Sequence, residues 1–158
     1  MDGRELSRAL HVVAVVIGIG GVAFVTLTLL PVLGRSRASD DWFVRFTAIE
    51  RRFAWIARAA LLVAGGSGFY LIVATGAWDR FTMISYWWMH AMVVVWVLFA
   101  FMLFVIEPLG LDRALRERAR RDPARAHLLV SRAHWLLLIA SLIAAFGAVA
   151  GSHGAFLG

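Results

Sequence analysis

Four stretches of this chain stay apolar for about two dozen residues each, and polar positions gather between them: 9–33, 53–77, 84–107 and 129–151. About 20 mainly apolar residues carry a helix across the hydrocarbon of a bilayer. None of the four keeps the strict apolar–polar alternation of a barrel strand. The pattern therefore predicts an all-α integral membrane protein with four transmembrane helices. Short connections favour antiparallel neighbours, so the expected architecture is a four-helix bundle in a single domain, 1–158.

Charge orients the bundle. The chain is 61% hydrophobic with a formal net charge of +6, and all 16 basic residues are arginine. Arg35, Arg37, Arg45, Arg51 and Arg52 sit between the first two spans; Arg113, Arg116, Arg118, Arg120, Arg121 and Arg125 sit between the last two. The other ends carry only Arg4, Arg8 and Arg80. The positive-inside rule makes the arginine-rich loops cytoplasmic and both termini periplasmic, with Arg58 snorkelling to the cytoplasmic surface. Arginines placed this way contact membrane lipid headgroups and form no separate nucleic-acid-binding domain. The first apolar run is too long for a signal h-region and is read as a mature helix. The segments 38–52 and 109–127 are expected to be partly helical, with Pro123 as a breaker.

The absence of cysteine excludes disulfides, thiolate metal sites and iron–sulfur clusters. Histidine carries the remaining chemistry. His127 and His153 are assigned to solvent or headgroups, and His134 to a hydrogen-bonded interfacial place. His11 and His90 enter the first and third spans from the same side at similar depth. Two imidazoles on facing helices are a common way to hold haem b, and the pair is the predicted metal site. Arg8 and Arg80 are the candidates to pair with the propionates. Gly18, Gly20, Gly21, Gly65, Gly66 and Gly68 allow close approach, and Trp87, Trp88, Trp96, Phe69, Phe99 and Phe101 offer flat walls. An internal two-helix repeat is hinted at by "LHVVAVV" against "MHAMVVV", with Pro31 and Pro108 near the far ends.

"RALHVVAVV", "FTAIERRFAWIARAALLVAGGSGFYLI" and "WWMHAM" together resemble the four-helix HemJ-type protoporphyrinogen oxidases and related CopD-like membrane proteins. That resemblance covers about half the chain. It implies a haem b protein of the bacterial inner membrane, with His11 as an axial ligand and protoporphyrinogen oxidation as the associated oxidoreductase reaction. The family's third-helix lysine corresponds to Met92 here, which makes His90 the expected partner of His11 and Met92 the fallback ligand.

The expected function is electron transfer between haem b and a quinone, a porphyrinogen or a membrane-protein partner, with a homo-oligomer also open. Two other classes stay open. One is a cofactor-free accessory or assembly subunit of a larger membrane complex. The other is a copper-handling protein using His90 with Met89 or Met92.

Overall fold

The computed structural model describes residues 2–34, 41–106, 117 and 121–155. Four helices make the fold: α1 (Gly3–Gly34), α2 (Asp41–Thr75), α3 (Ile84–Ile106) and α4 (Pro123–Ser152). Each contains a segment long and apolar enough to cross a membrane, and there is no strand among the described residues. Arg35, Arg37, Arg113, Arg116, Arg118 and Arg120 lie outside the described residues.

Polar caps extend the helices beyond the apolar runs. α1 starts six residues before position 9, where the Glu5 carboxylate accepts the Asp2 backbone N–H at 3.1 Å. The hydrogen bond from Arg4 to Asp2 holds the Asp2 carboxyl below its ordinary pKa. Pro123, expected to break a helix, opens one instead. It occupies the first turn of α4, where a missing N–H costs nothing, and Asp122 caps that turn by accepting the Arg125 N–H at 2.9 Å.

α1 packs most extensively on α2, and α3 on α4, giving two antiparallel hairpins; thinner α1–α4 and α2–α3 contacts close the bundle. Glycines set these seams by receiving rings. Gly21 takes Phe53, and Gly68 takes His11. Gly65 takes Trp96, while Gly147 and Gly151 take Trp87 and Trp88. Gly76, at φ +62°, ends α2 in the left-handed conformation and turns the chain toward α3. At the end remote from the termini, Leu29, Leu30, Leu33, Phe46, Ala126 and Val130 form a compact core. His127 belongs to that core, not to solvent or headgroups: it is 6% exposed and its Nε2–H donates to the Leu30 carbonyl at 3.0 Å.

Both odd-numbered helices widen near that same end. α1 is π-helical over Val25–Leu29 and α3 over Met102–Ile106. In the sequence Pro31 and Pro108 follow these turns at equal distance. A proline has no N–H and its ring crowds the carbonyl four residues back, so a wider turn ahead of it relieves the clash. With π spacing the donor to the Leu103 carbonyl would be residue 108, which is proline. Arg58 supplies that donor: its Nε and Nη2 reach the Leu103 oxygen at 3.3 and 3.2 Å. Its guanidinium also lies over Trp55, so Arg58 ties α2 to α3 and does not simply reach for the surface.

The outer wall of the bundle is apolar. Trp55 (72% exposed) and Leu136 sit midway along their helices, and Phe146 is as exposed further along α4. A helix apolar on all faces requires an apolar surrounding.

The ring-in-glycine seams predict an asymmetric response to adding one methyl. Gly151→Ala would drive a Cβ into the Trp88 indole and is expected to cost about 1–3 kcal/mol. Gly18→Ala and Gly66→Ala meet open space and should be neutral within about 0.5 kcal/mol. Unfolding of detergent-solubilised variants followed by circular dichroism reads the difference.

Candidate functional site

A cavity of about 710 Å³ lies between the two hairpins and is lined by all four helices. That volume is within the usual range for small-molecule sites, about 300–1,000 Å³. Its lining on α1 runs from His11 to Val25, a rise of about 21 Å. Most of that wall is Gly, Ala, Val and Phe; the polar side chains on it are His11, Glu50, His134 and Ser141.

His11 is the best-defined polar group. Its Nδ1 lies 2.9 Å from the Ala64 carbonyl oxygen and 3.2 Å from Ser67 Oγ, both on α2. The Ser67 hydroxyl spends its own proton on backbone carbonyls of its helix, so toward His11 it is an acceptor. Both neighbours therefore require Nδ1 to carry the hydrogen. Nε2 is left with a lone pair and no hydrogen-bond partner among the described residues. A histidine that binds a metal has this same arrangement, with the remote N–H given to a carbonyl and the near nitrogen kept basic. One turn earlier Ser7 donates to the Ser67 carbonyl at 3.2 Å, so two hydrogen bonds fix α1 against α2 at this level.

α3 presents Met92, Val95, Trp96, Phe99 and Met102 to the cavity, a stripe at three- and four-residue spacing. Trp96 donates its indole N–H to the Leu61 carbonyl at 2.9 Å and packs on Gly65, so it stands at the level where His11 meets Ala64. Met92 is one turn away, about 6 Å along the helix. His90 is two residues from Met92 and consequently on another face. It is exposed, does not line the cavity, and meets the Phe81 ring edge-on at 5.3 Å. The structure thus brings His11 together with Met92 in one cavity and leaves His90 outside it.

The remaining candidates divide. Arg8 is exposed, does not line the cavity, and precedes His11 by three residues, hence on the same helix face. Arg80 is exposed and stacked over Tyr86 at 5.2 Å, away from the cavity. Trp96 and Phe99 form flat walls; Trp87 and Trp88 instead pack on α4 glycines, and Phe69 and Phe101 are exposed. His134 lines the cavity near its far end, a position that interfacial assignment had not given it. Met89 is buried while the neighbouring His90 is exposed. Among the described residues no cluster of three or more His, Cys, Asp or Glu could cage a metal ion.

Without native cysteine, single cysteines report these orientations cleanly. In detergent His90→Cys should react with a maleimide at least about tenfold faster than Met92→Cys, because only the first is on the exposed face. Equal rates would contradict the facing described above. No family model, no curated protein and no solved structure matches this chain.

Proposed function

We propose that the protein is a multi-pass protein of the bacterial inner membrane, with both termini periplasmic, that holds haem b between its two hairpins and takes part in electron transfer. The single observation that carries the reading is His11: a ring held in the Nδ1–H tautomer by the Ala64 carbonyl, its Nε2 without a partner among the described residues, on a side chain that lines a large apolar cavity. Such a nitrogen would hold a haem iron, and a cage of several protein ligands is not needed because the porphyrin itself would supply the other nitrogens.

Met92, which shares the cavity and lies within about one turn of His11 in depth, would be the second residue to hold the group. This replaces the His11/His90 pair expected from the sequence. Bound there, the haem supplies a one-electron couple. The chain's own work is to orient the His11 imidazole through Ala64 and Ser67 and to exclude water with Gly18, Val22, Trp96 and Phe99. Arg8, exposed and one turn before His11 on the same helix face, would pair with propionates. The resemblance of "RALHVVAVV" and "WWMHAM" to the HemJ-type oxidases supports the same cofactor. Since Met92 stands where that family has lysine, the reading stops at electron exchange with a quinone, a porphyrinogen or a membrane partner and assigns no oxidase chemistry.

Purified protein from cells supplied with haem should show a reduced-minus-oxidised absorbance band that His11→Ala abolishes and His90→Ala leaves unchanged. Met92→His should lower the midpoint potential by more than about 59 mV, a tenfold change for one electron, because methionine ligation raises it. Wild-type protein without the band, or loss of it in His90→Ala, refutes the assignment. Topology is separately testable: a cysteine in place of Asp2 or His153 should label from the periplasmic side of intact cells.

A further inference from the structure

The cavity has a second polar end that haem at His11 leaves unused. His127 donates to the Leu30 carbonyl, which fixes the level of α4 against α1. Seven residues along antiparallel α4, His134 stands level with about residue 23 of α1. That is roughly 18 Å from His11 along the bundle, so one iron cannot take both rings. Glu50 of α2 lines the same end.

His134 is held as firmly as His11. Its Nδ1 donates to the Val130 carbonyl at 2.9 Å, and the Phe46 ring meets it edge-on at 5.9 Å. Nε2, without a partner among the described residues, is left as a hydrogen-bond acceptor. A neutral imidazole in this tautomer takes an O–H and has no proton to offer a carbonyl. Phe53 and Phe99, also in the lining, supply aromatic faces toward this half of the cavity. Phe24 and Ile49 line it too, yet are 54% and 43% exposed. The cavity is therefore open on its flank at this depth, where lipid would lie if the helices span a bilayer.

A hydroxyl acceptor, aromatic walls and a lateral apolar opening describe a ligand with a flat hydroxylated ring and a long apolar tail. We infer that this end of the cavity binds the headgroup of a lipid-soluble quinol, one hydroxyl donating to His134 Nε2 and the tail leaving between Phe24 and Ile49. The binding stands without any iron at His11; only the quinol's role as redox partner rests on the haem reading.

The test is anaerobic calorimetric titration of the detergent-purified protein with a decyl-tailed benzoquinol. Saturable binding of one quinol per chain is expected, with the corresponding quinone at least tenfold weaker because it has no hydroxyl to donate. His134→Leu should weaken quinol at least tenfold while keeping the haem band; His134→Gln, whose amide oxygen still accepts, should stay within threefold of wild type. His11→Ala should lose the band yet bind quinol, which separates failure of one site from failure of the other. Equal affinity for quinol and quinone, decanol binding as tightly as quinol, or an unchanged His134→Leu affinity would each overturn the assignment. Should His134→Leu fail to fold, the wild-type comparison of quinol, quinone and decanol decides alone.

Discussion

The hydrogen bond from His11 Nδ1 to the Ala64 carbonyl sets the geometry on which the rest of the site depends. Inside an apolar bundle, water does not compete for a polar side chain, and an interhelical bond of this kind is worth about 0.6 kcal/mol on average and up to about 1.7. That is too little to hold a hairpin together. It is enough to choose among packings of similar energy, since glycine and alanine seams slide easily. With Ser7 bonded to Ser67 one turn away, the register of α1 on α2 is specified twice. The tautomer follows from the register, and the free Nε2 follows from the tautomer.

The second hairpin is built on the same plan with different side chains. The π turns of α1 and α3 begin at Val25 and Met102, 77 positions apart. Under that shift the cavity-lining residues of the two helices coincide: Val15 with Met92, Gly18 with Val95, Ile19 with Trp96, Val22 with Phe99. His11 then corresponds to Trp88, not to His90. Each ring docks on the following helix, His11 at Gly68 and Trp88 at Gly151. The difference is chemical. The imidazole finds the Ala64 carbonyl, whereas the buried Trp88 indole N–H has no partner among the described residues. One hairpin thus places an imidazole at this seam and the other an indole, so equivalent positions carry different chemistry.

This repeat explains what the sequence could and could not reveal. Four apolar helices were legible because hydrocarbon length and hydropathy act locally, residue by residue. Their facing was not. α3 is apolar on every side, so periodicity carries no signal for which stripe turns inward, and it is Met92 rather than His90 that lines the cavity. The i+2 spacing of His90 and Met92 held the missing information: only one of them can face a shared cavity. His127 was misplaced for a related reason. Its neighbours are charged, which suggests a loop, but the Asp122 cap lets α4 begin early enough to carry it into the core. Arg58 likewise found its partner through a carbonyl that Pro108 cannot serve, a relation between distant positions that no local pattern exposes.

The two polar ends of the cavity make opposite demands on their surroundings. An axial nitrogen at His11 works best where water is excluded, because a dry shell tunes the potential of whatever it ligates. An acceptor at His134 must be reached by a hydroxyl from outside, so it needs an opening. Around His11 the rings of α1 and α3 are seated in glycines of α2, while Val12 and Val16 of the same wall are half-exposed. Around His134 the wall includes half-exposed Phe24 and Ile49, beside the π turns where α1 and α3 are least regular. In the proposed reading, two sites about 18 Å apart in a single apolar slot would let an electron pass between two ligands while keeping their proton chemistry separate.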